Sequence, residues 1–157
     1  MSIRLLRRGD REPIHRILVE TDVFSEEEVG IALELIDVVL NNASQKDYVI
    51  SVYEEGNEIH GYYCIGPTPA TQSTFDMYWI ATRPSLHGRG VGSKLEGHAV
   101  DFIKSKGGKL VIAETSSQPT YKQTRQFYKK RGYTELARIR DYYRSGDDLV
   151  VYGKYLT

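Results

Sequence analysis

Gly88, Gly90 and Gly92 stand at alternate positions between a strand-like run, Phe75 to Thr82, and a helix-like run, Val91 to Lys106. No other stretch constrains the fold as tightly. Glycine has no Cβ, so such a loop can bring its backbone N–H groups close to a bulky anion. The N–H groups that follow belong to a helix N-terminus, where they lack intrahelical partners and the dipole favours negative charge. Strand, glycine turn and helix in this order point to an α/β chain with a grip suited to a pyrophosphate. Two nucleotide motifs do not fit. A P-loop needs Gly-Lys-Ser/Thr opening the helix, whereas the chain reads Gly92-Ser93-Lys94. A dinucleotide fingerprint spaces its second and third glycines three apart.

The remaining elements follow from periodicity and caps. Ser2 to Arg7 reads as a strand. Asp10 to Glu20 reads as a helix, with Asp10 as its cap and Pro13 in its first turn. Ser25 and Glu28 form a capping box before Val29, Leu33, Ile36 and Leu40 at helical spacing. Tyr48 to Glu54 and Ile59 to Ile65 flank Glu55-Gly56-Asn57 as a hairpin. Ser73 to Thr82 is a strand. Val91, Leu95, Ala99, Phe102 and Ile103 form one helical face opposed by Lys94, Glu96, Asp101 and Lys104. Leu110 to Glu114 is a short buried strand, and Pro119 to Arg131 a helix stopped by Gly132. Tyr133 to Tyr143 and Leu149 to Leu156 are strands closed by Arg144-Ser145-Gly146-Asp147. The β-α-β-α segment in the second half predicts at least one parallel neighbour in a mixed sheet.

At 157 residues, with no repeat or linker, the chain reads as one domain, 1–157. Twenty-one basic and twenty-one acidic residues cancel, so no global field draws nucleic acid or an anionic membrane. No apolar signal region opens the chain and no run approaches membrane-spanning length, which predicts a cytoplasmic protein. The single cysteine, Cys64, lies in an apolar run and reads as a core residue. Most of the twelve tyrosines fall on strand-like stretches and read as half-buried sheet faces. His15, His60 and His98 have no metal-ligand spacing, and no metal is implied.

Pro84 through Leu95 resembles the acyl-CoA pyrophosphate loop of the GNAT superfamily of N-acetyltransferases. That signature is Arg or Gln, two residues, Gly, one residue, Gly or Ala; Gly90 and Gly92 fill its glycine positions, and His87 stands where Arg or Gln is usual. A second segment, Tyr121 through Tyr133, is similar to the family's later motif, in which Phe-Tyr precedes Gly-Phe or Gly-Tyr by three residues. Phe127, Tyr128, Gly132 and Tyr133 match it, while Tyr121 and Thr124 replace the usual Asn and Ala. Phe75 through Ala81 resembles the family's fourth strand. The resemblance implies a GNAT-like α/β (α+β) fold: a mixed, mostly antiparallel sheet of about seven strands flanked by about four helices. It also implies acetyl-CoA as the acyl donor.

Transfer of an acetyl group from a thioester to an amine needs four things. The cofactor must be held, and His87, Gly88, Arg89, Gly90, Val91, Gly92 and Ser93 can supply the grip, with Tyr121 near it. The carbonyl must meet a preset donor, which the resemblance places at the backbone near Ile80, Ala81 and Thr82. The amine must lose a proton. Asp76, in an apolar strand, is the first candidate base and Glu114, at the end of the next strand, the second. The leaving thiolate must gain a proton, and the resemblance places Tyr128 there. Asp76 as a plain hydrogen-bond acceptor and Tyr128 as packing beside Phe127 are the bland readings. On the helix the two rings point about 100° apart, so one can face the core and the other the cofactor.

The resemblance places the acceptor between the first two helices and the last hairpin. Asp22, Phe24, Tyr142 and Arg144 lie in the matching segments and suit a small cationic amine such as an amino acid. A peptide or protein N-terminus is the alternative acceptor. A non-catalytic acyl-CoA-binding or regulatory module is the alternative role, needing neither Tyr128 nor a base. Leu149 to Leu156 could form an exposed edge that pairs with another copy, giving a homodimer.

Overall fold

The structure is a computed structural model that describes residues 1–157. Its elements are β1 (Ser2–Leu5), α1 (Arg11–Glu20), α2 (Glu26–Asn41), β2 (Val49–Glu55), β3 (Glu58–Pro67), β4 (Thr74–Thr82), α3 (Val91–Ser105), β5 (Leu110–Ser116), α4 (Lys122–Lys130), β6 (Thr134–Arg144) and β7 (Asp147–Tyr155), in the order the sequence predicts. Seven strands form one sheet, ordered β1-β2-β3-β4-β5-β7-β6. The β4–β5 pair is parallel, because α3 carries the chain back between them. The β1–β2, β2–β3, β5–β7 and β6–β7 pairs are antiparallel. No helix is long and apolar enough to cross a membrane.

By compactness the chain divides into two units, residues 1–66 with 78–101 and residues 67–77 with 102–157. In the first, α1 and α2 lay Ile14, Ile17, Leu18, Val29, Ala32 and Ile36 on Ile50 and Val52 of β2 and on Ile59, Tyr62 and Cys64 of β3. Burial pushes the Cys64 thiol up to about 12, so the residue packs as a small hydrophobe. The capping box forms as read: Ser25 Oγ accepts from the Glu28 N–H at 3.1 Å, and Glu28 Oε1 from the Ser25 N–H at 3.0 Å. Such a cap stabilises a helix start by about 1 kcal/mol.

Three expectations fail here. Asp10 does not cap α1. Its carboxylate accepts from the Arg7 N–H at 2.7 Å and pairs with Arg4, closing the short 3-10 turn ahead of the helix. Glu96 is not on the solvent face of α3 but fully buried. It sits one residue from buried Leu95 and four before buried Val100, so the buried stripe is wider than the apolar pattern marks. Among the sheet tyrosines, Tyr62, Tyr63 and Tyr152 are fully buried rather than half-buried.

In the second unit, Val111, Ala113 and Thr115 of β5 and Leu149, Val150 and Tyr152 of β7 are buried. Gly132 at φ +91° ends α4, and the Tyr133 N–H returns to the Tyr128 carbonyl at 3.0 Å. The expected free edge is a correction. Leu149 to Leu156 lies inside the sheet, because β7 pairs with β5 over seven residues and with β6 on its other side. The edge on this side of the sheet is β6, and all eleven of its residues are exposed. Its ladder to β7 is interrupted after Glu135 and again between Ile139 and Arg144. Bulges of this kind blunt an edge against pairing with another chain.

Candidate active site

A short turn at Pro84–Leu86 launches the glycine loop. Its backbone is closed by Leu86 N–H to Arg83 O at 2.9 Å, His87 N–H to Pro84 O at 3.2 Å and Arg89 N–H to Leu86 O at 3.1 Å. Gly88 and Gly90 take φ of +82° and +83°, angles that side chains disfavour. A Cβ at either position would meet no atom within 4 Å, so backbone angle rather than crowding demands glycine. The first helical rung of α3 runs from the Lys94 N–H to the Gly90 carbonyl at 3.0 Å. The Val91, Gly92 and Ser93 N–H groups precede it and lack an i−4 partner. Val91 is buried and anchors the turn, while His87, Gly88, Arg89 and Gly90 are exposed. On β4, Ala81 is buried and Ile80 and Thr82 are half-buried.

The second unit holds the candidate acids. The parallel β4–β5 ladder consists of Thr74↔Leu110, Phe75↔Val111 and Asp76↔Ile112. Paired residues share a sheet face and alternate residues return to it, so Asp76, Ile112 and Glu114 lie on one face. Glu114 keeps solvent access, yet burial raises its carboxyl above the ordinary range, and the Asp76 charge raises it further. Asp76 is half-buried and its Oδ2 accepts from Thr68 Oγ1 at 2.7 Å. Sequence reading missed Thr68; its only signal was a polar residue between Pro67 and Pro69.

Tyr128 is the buried residue of α4, while Phe127 is half-buried. The Tyr128 ring lies 5.6 Å from Phe127, 5.2 Å from Tyr133 and 6.0 Å from Tyr152, the last stacked. Arg125 Nη1 fixes the helix to the end of β5, donating to Ser116 O at 2.7 Å and Gln118 O at 2.8 Å. Tyr121 immediately precedes α4 and is half-buried.

The candidate acceptor residues fall in both units. Asp22 is exposed at φ +54° after α1, and Phe24 packs edge-on against Trp79 with centroids 5.0 Å apart. Tyr142 and Tyr143 are exposed and in edge contact at 5.0 Å. Arg144 is exposed, 3.9 Å from Asp147. A bulge presents the two tyrosines: Asp141 takes φ +54°, its N–H donates to Asp148 Oδ1 at 3.0 Å, and its Oδ1 accepts from the Gly146 N–H at 2.8 Å. Three further bonds rivet the hairpin to the end of β5: Ser116 Oγ to Asp147, the Asp148 N–H to Ser117 Oγ at 2.8 Å, and Gln118 Nε2 to Gly146 O at 2.9 Å.

The profile of the acetyltransferase (GNAT) domain matches residues 46–135, which include the glycine loop, both acids and Tyr128. The chain belongs to the GNAT acetyltransferase family. A protein assigned to that family from Desulfovibrio desulfuricans has the same fold at a TM-score of 0.93, with 35% identity over 99% of both chains. The ribosomal-protein-S18-alanine N-acetyltransferase of Escherichia coli superposes at 0.77, with 16% identity over 99% of this chain and 94% of that one. An aminoglycoside 6'-N-acetyltransferase in complex with coenzyme A superposes at 0.76, with 12% identity over 99% and 97%. Comparison with curated proteins finds no match. As a GNAT enzyme this chain is an acetyl-CoA-dependent N-acetyltransferase with an acceptor substrate. The loop suits that cofactor: Gly88 and Gly90 hold left-handed angles with open space beside them, and three N–H donors precede the first helical rung.

Proposed function

We propose that this GNAT enzyme acetylates a primary amine on a small molecule such as an amino acid, by direct attack. His87 to Ser93 hold acetyl-CoA largely through backbone N–H groups, with the Ile80–Thr82 backbone and Tyr121 as further contacts. Acetyl-CoA supplies the activated acetyl group. Glu114, with Asp76 beside it, takes the amine proton, and Tyr128 donates a proton to the departing thiolate. Asp22, Phe24, Tyr142 and Arg144 contact the acceptor.

The observation that carries this reading is the carboxylate pair on one sheet face, with Glu114 raised by burial and by Asp76. A raised carboxyl binds a proton at a pH closer to that at which the enzyme works, which is what a general base needs. For acceptors carrying a carboxylate of their own, Arg144 is the better partner, since Arg138 is committed to Glu135 and Asp148. The test mixes the protein with acetyl-CoA and a panel of amino acids, polyamines, aminoglycosides and short peptides, and follows free thiol. Turnover confined to small amines supports the proposal. Turnover confined to peptides moves the acceptor to a polypeptide N-terminus. Saturable acetyl-CoA binding with no turnover on any amine favours a binding module.

A further inference from the structure

The turn from β3 to β4 is held more firmly than a connection of its length requires. Ala70 takes φ +62°, a left-handed angle costly for a residue with a Cβ. The Thr68 N–H donates to the Thr74 carbonyl at 2.9 Å. The Thr68 carbonyl accepts from the Thr71 N–H at 3.3 Å and from Thr71 Oγ1 at 2.7 Å. Both backbone groups of Thr68 are thus engaged, and its hydroxyl donates to Asp76 Oδ2. A strained, pinned turn that aims one hydroxyl at a carboxylate is the kind of local cost that function sustains.

Asp76 lies on the sheet face that carries Ile112 and Glu114. A half-buried carboxylate with no fixed donor turns toward water and spends less time beside its neighbour. We infer that Thr68 is a positioning residue of the transfer reaction: its hydroxyl holds the Asp76 carboxylate on the face of Glu114, so that the charge that tunes the proton acceptor stays in place. The inference rests on the acid–base reading proposed above and extends it to a residue that acts through Asp76. In the step it serves, an N–H bond of the amine breaks and an O–H bond forms on Glu114. Around Glu114, β4 supplies Asp76, β5 supplies Ser116 and β7 supplies Val151 directly opposite; Asp76 is the charged member.

The test is a carboxyl-carbon NMR titration of Glu114 in the full chain without ligand, in the wild type, Asp76→Asn, Thr68→Val and Thr68→Ser. Asp76→Asn lowers the Glu114 midpoint toward the ordinary value of about 4.3. Thr68→Val moves it the same way by part of that amount, and Thr68→Ser leaves it in place. In turnover, with whichever panel amine reacts fastest, Thr68→Val lowers kcat/KM several-fold and moves the acid limb of its pH profile down with the Glu114 midpoint. Thr68→Ser restores both. A Glu114 midpoint unmoved by Thr68→Val overturns the inference. Glu114→Gln separates it from the reading beneath: full activity and an unchanged acid limb in that variant sink the base assignment itself. A dead Glu114→Gln with an unmoved Thr68→Val removes only Thr68.

Discussion

In the proposed mechanism the glycine loop and the β4–β5–α4 region serve the same reaction by opposite means. In the loop the groups proposed to work are backbone N–H groups, and the side chains at His87 and Arg89 are exposed. Gly88 and Gly90 matter because they permit two positive φ angles. In the second region the groups proposed to work are side chains held by neighbours: Asp76 by Thr68, α4 by Arg125, and Tyr128 by three aromatic rings. A backbone grip therefore tolerates side-chain changes and fails when a backbone angle is forbidden. A side-chain apparatus fails when a single oxygen is removed.

Tyr128→Phe deletes one oxygen and keeps the ring that packs on Tyr133 and Tyr152, so the chain stays folded. Turnover falls by about 10²–10⁴-fold, the usual contribution of a positioned acid. Steady-state kinetics beside a melting curve checks both halves.

Glu114→Gln comes next, lowering kcat/KM by about 10²-fold and abolishing the acid limb of the pH profile. Its effect on stability has the opposite sign. A carboxyl whose folded pKa is raised makes the native state bind more protons than the unfolded chain. Native stability therefore falls as pH rises from the ordinary glutamate value through the raised one. Glutamine removes that penalty, so at neutral pH the variant melts no lower than the wild type. Thermal melts at pH 4 and pH 7 read the difference.

Gly90→Ala forces a Cβ into a left-handed angle, which costs about 1–2 kcal/mol. The loop relaxes away from its gripping shape, and acetyl-CoA binding weakens by about 5–30-fold, as calorimetry reads it. His87→Ala is the smallest change. It removes an exposed side chain and leaves the backbone, so affinity moves by less than about 0.5 kcal/mol. A large loss there would show that the side chain, not the backbone, does the gripping.

The two regions were also unequally legible. Alternating glycines mark a backbone-driven turn directly, so the loop and the helix start could be read from residue order, though not its two left-handed angles. The capping box and Gly132 were legible for the same reason. The second region reveals residue types but not pairings. Asp76 and Glu114 are thirty-eight residues apart in sequence, and only the parallel register brings them to one face. Thr68 was invisible because a hydroxyl's aim depends on the turn that carries it. Glu96 misled because polarity predicts a solvent face unless a wider buried stripe overrides it. The strand order of the last hairpin was misjudged because pairing choice is set by the whole sheet.

The most direct test of the division between grip and chemistry is a paired measurement on Tyr128→Phe: acetyl-CoA affinity by calorimetry and amine-dependent thiol release in the same preparation. The account predicts unchanged affinity and a loss of release of about 100-fold or more. Release equal to that of the wild type, or affinity lost in step with release, would contradict it.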